Sequence, residues 1–280
     1  MTYEVVDAVV AGRHGSIPVR DYVPLETPAS AASSTRKSAF LWVHGGGFTS
    51  GGLDQKESDH PARFLAETGR RVRTIDYRLA PKISVVGNVK LGPASGRFPA
   101  AHHDVLDVAA ALEDDAGGPV SIGGASAGAN IAAGVALARR DAAAGQLRTL
   151  ILAYGTFHAE LPERHDVERD LDGPVVRWAF NPKMTRRMHL NYVGNSALLR
   201  PGYAFPGGAD LQGLPPTLVV NSRRDRLRAS GDTFAEELKA AGVEVKREVI
   251  NSTHAYLNDP KTDNYQRGMN LITQWLDTHD

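Results

Sequence analysis

A serine lies between two glycines where an apolar run meets an alanine-rich run. Residues 121–134 read SIGGASAGANIAAG, so Gly124 and Gly128 flank Ser126 at a spacing of two. This spacing allows a sharp strand-to-helix turn that exposes the hydroxyl above a helix N-terminus, where backbone N–H groups favour developing negative charge. The same residues could also form a turn whose small side chains only pack closely. The motif alone leaves both interpretations open, a nucleophile and a structural serine.

A nucleophilic serine needs a general base, and the base needs an acid that orients it. In one known chain order of such triads the acid follows the serine and the histidine comes last. Two histidines follow the last good candidate acid, and the penultimate residue, His279, is expected to be frayed. His254 follows an alternating segment that predicts a strand over 243–250. We therefore expect His254 at the carboxyl end of a strand, as the general base.

The orienting acid should also lie just past a strand. Asp225 comes three residues after PPTLVVNS, which predicts a strand over 215–222. Asp232 competes for this role, but it is expected in the first turn of the next helix, where an acid stabilises the helix dipole. The arginines around Asp225 allow two interpretations, a solvated basic loop or a surface that attracts anionic substrates; they are Arg223, Arg224, Arg226 and Arg228.

Three glycines after a predicted strand provide the fourth feature. In HGGGF, 44–48, successive backbone N–H groups are exposed with no side chains in the way. A tetrahedral oxyanion needs such donors beside the one that follows the serine, and removing one donor costs about 2.7–4 kcal/mol of barrier. The four features, in this order along the chain, predict acyl-transfer chemistry.

The elements that must position these residues alternate between strand and helix. Runs over 3–10 and 17–23 predict an antiparallel hairpin, followed by a surface loop over 27–38. Helical spacing then alternates with apolar runs, and the segment over 77–99 is predicted to be a long loop. The predicted strands cover 39–43, 71–76, 119–124, 148–155, 215–222 and 243–250. The predicted helices cover 57–68, 100–114, the residues after Ser126, 230–242 and 265–276.

This alternation predicts an α/β fold with a mostly parallel sheet and helices on both faces. In such sheets ligands bind beyond the carboxyl ends of the strands. Residues 156–212 break the alternation with charges, prolines and one helical piece over 183–194, so we interpret them as an insertion.

Composition excludes several classes of function. The 280 residues are 42% hydrophobic, and Lys+Arg and Asp+Glu are both 32, so no basic excess indicates nucleic acid or an anionic membrane as partner. There is no cysteine, which excludes disulfides, thiolate zinc sites and cysteine nucleophiles. No signal peptide or membrane span is expected, and the expected location is cytoplasmic. No metal site is expected, because His102 and His103 are adjacent on a predicted helix and point to different faces.

Taken jointly, these motifs resemble the hormone-sensitive-lipase-like carboxylesterases of the α/β-hydrolase superfamily. The resemblance spans about residues 38–280 and implies a single α/β-hydrolase domain over 1–280, with a cap insertion at about 156–212. Its stretches, besides the His254 loop, are HGGGF (44–48), DYRLAP (76–81), FPAA (98–101), GASAGAN (124–130) and DRLRASG (225–231).

The resemblance also implies roles for single residues. Ser126 would be the nucleophile, His254 the general base and Asp225 the acid that orients it. The oxyanion donors would be the backbone N–H groups of Gly46, Gly47 and Ala127. The implied activity is hydrolysis of small carboxylic esters with short or medium acyl chains, without a cofactor, by a monomer or homodimer.

The chain departs from the family's pattern at three places. Ala125 stands where Asp is frequent, which should alter packing rather than chemistry. Lys82 replaces the usual Glu after DYRLAP, and the segment 82–97 is longer than usual. A strand begins by about residue 3 where many members carry a helical lid segment, so the lid would rest mainly on 156–212 and the pocket would be more open.

Apolar residues of the insertion allow two interpretations, a lining for the substrate pocket or a small core of its own; they are Trp178, Phe180, Met184, Met188 and Tyr192. Function keeps alternatives as well. An amidase or aryl formamidase would use the same triad on a C–N bond, and a lipase is a weaker choice because no large apolar surface segment is evident. A non-catalytic ligand receptor on this scaffold is a further alternative, which the presence of His254 disfavours.

Overall fold

The computed structural model describes residues 2–25, 37–83, 89–92 and 94–280. Most of the surface loop expected over 27–38, and residues 84–88 and 93 of the loop expected over 77–99, lie outside the described residues. Eight strands form one sheet: β1 (Tyr3–Gly12), β2 (Gly15–Pro24), β3 (Phe40–Val43), β4 (Val72–Ile75), β5 (Ser121–Ala125), β6 (Leu150–Ala153), β7 (Thr217–Arg224) and β8 (Val245–Thr253).

Helices follow the strands in the described part of the chain, mostly in alternation. They are α1 (Lys56–Glu67), α2 (Ala100–Ala116), α3 (Ala127–Asp141), α4 (His165–Asp170), α5 (Pro174–Trp178), α6 (Pro182–Val193), α7 (Arg228–Ala240) and α8 (Asp263–Thr278). The bounds of the longer elements differ from the predicted ones by a few residues at most. None of the helices in the described ranges is long and apolar enough to cross a bilayer.

The strand order across the sheet is β1-β2-β4-β3-β5-β6-β7-β8. β1 and β2 form the expected antiparallel hairpin, and β2 also pairs antiparallel with β4. All other neighbours pair in parallel. The expected fold, an α/β-hydrolase sheet that is mostly parallel, is therefore confirmed.

Alternate residues of the central strands pack into two apolar layers, one on each face of the sheet. In β3, Leu41 and Val43 face the layer built with α2, α3 and α7, whereas Phe40 and Trp42 face the layer built with α1 and α8. This is the period of two that a strand imposes on its side chains. Helices cover both faces, so the central strands β3 to β6 are buried throughout and their ends are held at fixed positions.

Parallel pairing brings the carboxyl ends of β3, β5, β7 and β8 to one edge of the sheet. The residues that directly follow these four strands are His44, Ser126, Asp225 and His254. The parallel pairing of these strands thus brings four residues from distant parts of the sequence to the same edge of the sheet.

The residues expected to form an insertion, 156–212, lie between β6 and β7. They contain the short helices α4 and α5, the longer α6 and irregular segments. The helical piece expected over 183–194 is α6, in which the side chain of the N-cap Asn181 accepts a hydrogen bond from the N–H of Met184.

Candidate active site

Ser126 lies on the turn between β5 and α3, in a backbone conformation that residues other than glycine rarely adopt. Its φ is 53° and its ψ −117°, and such strain persists only where the surroundings enforce it. The flanking glycines allow the backbone of this turn to approach β3 closely. A Cβ at Gly128 would lie 2.1 Å from the carbonyl oxygen of Val43, and one at Gly124 would lie 2.6 Å from the same oxygen. The two glycines therefore let the strand and the helix close on β3 and fix the direction of the serine side chain.

The three expected triad residues form one hydrogen-bonded chain. Nε2 of His254 lies 3.0 Å from Oγ of Ser126, and Nδ1 of His254 lies 2.6 Å from Oδ2 of Asp225. Oδ1 of Asp225 accepts the N–H of Leu227 at 3.0 Å. A carboxylate only accepts, so Nδ1 carries the ring hydrogen and Nε2 is free to accept the serine hydroxyl. This arrangement can remove a proton from Ser126.

Opposing effects act on the pKa of His254. Burial lowers the pKa of His254, but the attraction of Asp225 and of Glu57 outweighs burial, so the pKa is raised above its usual value. Asp225 is buried, at 2% exposure, so its charge is little screened by solvent. Two aromatic rings pack against the imidazole, Tyr154 at 5.1 Å and Phe180 at 4.6 Å between ring centroids.

Three backbone N–H groups of the glycine loop and of the residue after the serine lack a hydrogen-bond partner among the described residues. Gly46 and Gly47 have φ of 115° and 59°. The N–H groups of Gly46, Gly47 and Ala127 donate no hydrogen bond to any other residue in the described ranges. A Cβ at Gly46 would lie 1.9 Å from the carbonyl oxygen of Ser50, so this turn admits only glycine. Three unpaired donors near a nucleophile are what an oxyanion requires.

His44, which begins the glycine loop, has a structural role. Its Nδ1–H donates to the carbonyl oxygen of Gly45 at 2.7 Å, and its ring stacks on Tyr77 with centroids 4.3 Å apart. The hydroxyl of Tyr77 donates to the carbonyl oxygen of His44 at 3.0 Å. Burial lowers the pKa of His44 to about 4, so the imidazole is neutral and anchors the loop without a charge.

Asp232 does not lie where the sequence predicted. The expectation that it stabilises the helix dipole is wrong, because α7 begins at Arg228 and Asp232 falls in the second turn. It is buried, and Oδ1 pairs with Nδ2 of Asn221 at 2.8 Å and with the guanidinium of Arg247 at 2.9 Å. Asp225 alone of the two candidate acids contacts His254.

Three of the arginines around Asp225 face acids of α4. Arg223 and Arg228 each pair with Asp170 at 3.0 Å, and Arg226 pairs with Glu168. The side chain of Arg223 is 54% exposed, as a solvated loop implies, whereas those of Arg226 and Arg228 are largely covered. They tie α4 to the segment that carries Asp225.

The apolar residues of the insertion divide between the two interpretations. Phe180 packs on His254, and Sδ of Met188 would lie 3.1 Å from a Cβ added at Gly47, so both contact the site. Tyr192 is buried and stacks on Phe48 at 3.9 Å. Trp178 and Met184 are exposed. The insertion therefore supplies a wall of the site and also packs on the main body.

Neighbouring histidines on α2 have different surroundings, as expected. His102 lies within hydrogen-bond distance of the Tyr192 hydroxyl, 2.9 Å, and burial lowers its pKa to about 4. His103 instead faces His14 at 3.0 Å between ring nitrogens. Within the described ranges no group of three or more histidine, aspartate or glutamate side chains could hold a metal ion.

The sequence interpretation missed one residue of this site, Glu57. Its side chain is buried at the start of α1, where Oε2 accepts the N–H of Gly45 at 3.0 Å and Oε1 accepts the hydroxyl of Tyr154 at 2.7 Å. Glu57, Pro61 and Leu65 share the buried face of α1 at a spacing of four. A glutamate on the apolar face of a predicted helix was the available signal.

Known proteins share this architecture and these motifs. A protein family described as having the alpha/beta hydrolase fold matches residues 40–258. Carboxylesterase NlhH of Mycobacterium tuberculosis is 32% identical, covering 86% of this chain and 72% of its own. The carboxylic ester hydrolase LipN of the same organism is 30% identical, covering 91% and 65%.

More distant similarities agree with these. The ethyl acetate hydrolase of Pseudomonas putida is 26% identical, covering 94% of this chain and 79% of its own. Among solved structures, a hyperthermophilic esterase from the archaeon Pyrobaculum calidifontis superposes with a TM-score of 0.81 at 28% identity, covering 98% of this chain and 85% of its own. The chain belongs to the hormone-sensitive-lipase-like carboxylesterase family of α/β hydrolases.

Proposed function

We propose that this protein hydrolyses carboxylic esters of small molecules through an acyl-enzyme on Ser126. The observation that carries the proposal is the hydrogen-bonded chain from Ser126 through His254 to Asp225, at 3.0 and 2.6 Å. Membership of a carboxylesterase family and esterase relatives over most of the chain support the activity itself. The geometry supports Ser126, His254 and Asp225 as the residues that perform this activity.

The reaction follows from the positions of these groups. Oγ of Ser126 attacks the ester carbonyl while Nε2 of His254 takes its proton, and Asp225 stabilises the resulting imidazolium. The oxyanion accepts hydrogen bonds from the N–H groups of Gly46, Gly47 and Ala127. His254 then protonates the leaving alcohol, and water hydrolyses the acyl-enzyme through the same base.

We also propose that residues 156–212 act as a cap and that the acyl chain is short to medium. Phe180 and Met188 bring apolar surface from the insertion to His254 and to the glycine loop. The name of the ethyl acetate hydrolase relative supports a small ester as the substrate class.

A series of p-nitrophenyl esters from acetate to palmitate tests this function. We expect the highest kcat/KM on the short and medium chains, and stoichiometric labelling of Ser126 by a fluorophosphonate. Ser126→Ala is the control, and its kcat should be lower by a factor on the order of 10⁴ or more. Unchanged turnover in this variant would refute the nucleophile. A preference for the matched p-nitroanilide amides would instead favour the amidase alternative, and binding of esters without any turnover would favour a receptor.

A further inference from the structure

Glu57 is buried and has no part in the Ser126–His254–Asp225 chain, yet its carboxylate and its backbone carbonyl together contact three elements beside the site. Oε2 accepts the N–H of Gly45, the residue before the proposed oxyanion donors, at 3.0 Å. Oε1 accepts the hydroxyl of Tyr154, which follows β6, at 2.7 Å. The backbone carbonyl of Glu57 accepts the indole N–H of Trp42, in β3, at 2.7 Å. A single residue thus links the glycine loop to two strand ends.

The hydrogen bonds of Glu57 indicate that its side chain is ionised. Every side-chain contact comes from a donor, namely the Gly45 N–H, the Tyr154 hydroxyl and, at 3.4 Å, Nε2 of Gln55. A protonated carboxyl would have to donate to the hydroxyl oxygen of Tyr154, and the proton of that hydroxyl would then have no acceptor among these contacts. Burial raises the pKa of Glu57 above its usual value, although the Tyr154 hydroxyl, the nearby His254 and the Gly45 N–H each lower it.

This charge lies close to the nucleophile and the base. A Cβ added at Gly45 would lie 2.2 Å from Oε2 of Glu57 and 3.1 Å from Cβ of Ser126, so only a glycine separates the carboxylate from the serine. The ring of Tyr154 lies between Glu57 and the imidazole of His254, 5.1 Å from the latter between centroids.

Within the described ranges, few other ionisable groups face Glu57 or His254. Asp225 faces the imidazole from the segment after β7. Tyr77 and Tyr256 feel the charge of Glu57, and burial, followed by that charge, raises the pKa of each phenol well above its usual value. Both phenols are therefore neutral, and among the described residues Asp225 and Glu57 are the two negative charges that raise the pKa of His254.

We propose that Glu57 is a positioning residue for the proposed ester hydrolysis. Its hydrogen bonds hold the glycine loop in place for the oxyanion, and its negative charge stabilises the imidazolium of His254. The inference rests on the proposed function, since it acts through Ser126, His254 and the oxyanion donors. It assigns to Glu57 two separable effects, one of geometry and one of charge.

Glu57→Gln tests the charge. The side chain keeps its shape, but the amide has no charge. Its NH₂ group would also face the Gly45 N–H or the Tyr154 hydroxyl, each of which now donates a hydrogen bond to Glu57. We expect the acidic limb of the kcat/KM profile, which reports the base of the free enzyme, to move to lower pH by about half a unit, because one of two charges that favour imidazolium is lost. We expect kcat at the optimum to fall about tenfold, a fraction of the loss of a full oxyanion donor.

Glu67→Gln is the matched control, because Glu67 is an exposed residue at the end of the same helix. It makes the same change of charge, and its acidic limb and kcat should equal those of the unsubstituted protein. An acidic limb of Glu57→Gln that coincides with that of the control would overturn the role of the charge.

Glu57→Asp tests the geometry. The charge stays, so the acidic limb should remain in place, but the shorter side chain cannot reach both Gly45 and Tyr154 and kcat should fall. A kcat equal to that of the unsubstituted protein would overturn the positioning role, and this variant decides the proposal if Glu57→Gln does not fold. Fluorophosphonate labelling of Ser126 in the unsubstituted protein separates the two levels: no labelling contradicts the proposed function, whereas labelling with an unmoved acidic limb contradicts only the role of Glu57.

Discussion

The two sides of the candidate site are held by different kinds of interaction. On the side of the strand ends, Ser126, Asp225 and Glu57 are 7%, 2% and 2% exposed and bind backbone or buried side chains. On the side of the insertion, the contacts include exposed ion pairs such as Glu160 with Arg186, and Trp178 is 67% exposed. Exposed ion pairs contribute only about 0–1 kcal/mol to the free energy of unfolding. Removing the partner of a buried charged group costs much more stability.

This contrast separates two tasks. The groups proposed to do chemistry cannot shift without leaving a buried polar atom unpaired, so their distances are fixed. The part of the insertion around α5, which has no buried residue, can repack at small cost, so it suits contact with substrates of varying shape. We therefore expect changes on the strand-end side to act on kcat by orders of magnitude, and changes on the insertion side to act on KM by small factors.

Asp225→Asn should give the largest effect among variants that keep the serine. The asparagine would favour the wrong tautomer of His254, and kcat should fall by a factor on the order of 10⁴. Asp232→Asn is the matched control, because Asp232 is also buried but pairs with Asn221 and Arg247. It should lower Tm and leave kcat nearly unchanged. The reverse result, in steady-state rates on p-nitrophenyl butyrate, would transfer the acid role to Asp232.

Two alanine substitutions in the glycine loop compare the sides directly. Gly46→Ala directs a methyl group at the backbone of Ser50, 1.9 Å away, so the loop must shift and kcat should fall about 100-fold. Gly47→Ala directs the methyl group at Met188 of the insertion, whose flexible side chain at 3.1 Å can move. Its kcat should fall less than about tenfold. Equal losses in both variants, with thermal unfolding curves to exclude misfolding, would contradict the difference between the sides.

The strand ends could be predicted from the sequence because the signals there are local. His44 and Ser126 closely follow apolar runs, and Asp225 and His254 come three and four residues after theirs; parallel pairing of the strands then brings the four together. Carboxylesterase family membership was likewise evident from the motifs. Asp232 was misplaced because α7 starts two residues earlier than its pattern indicates.

What the sequence left open depends on contacts between residues far apart in the chain. Arg226 pairs with Glu168, 58 residues earlier, and Glu57 accepts the hydroxyl of Tyr154, 97 residues later. No local pattern in either member of such a pair names its partner. The burial of a glutamate depends on donors that only the folded chain assembles.

The pH dependence of the unsubstituted protein tests the buried side further. The reaction needs neutral His254, and the pKa of His254 is raised, so kcat/KM should fall as pH decreases through a value above about 6.5. Below that value the loss should approach tenfold per pH unit. The charges involved are buried, so raising NaCl from about 0.05 to 0.5 M should shift the limb by less than about 0.2 unit. A limb below pH 6, or one that moves strongly with salt, would contradict this.

Asp170→Asn should give the smallest effect, on the insertion side. Asp170 pairs with Arg223 and Arg228, which tie α4 to the segment after β7. Arg228 also reaches the carbonyl oxygen of Asp166 at 3.3 Å and the carboxylate of Asp232 at 3.8 Å, so it keeps partners when Asp170 is neutralised. We expect KM for p-nitrophenyl butyrate to rise about threefold and kcat to stay within about twofold, because only the placement of the insertion loosens.

Asp172→Asn is the matched control, since Asp172 is an exposed aspartate two residues farther along the same segment, and the substitution removes the same charge. Its KM and kcat should equal those of the unsubstituted protein, because no arginine in the part of the chain that the structure describes pairs with its side chain. A kcat for Asp170→Asn that falls by orders of magnitude would mean that the ion pairs of α4 hold Asp225 itself in position. The insertion would then belong with the buried side, and a substrate-contacting role separate from the chemistry would have to be abandoned.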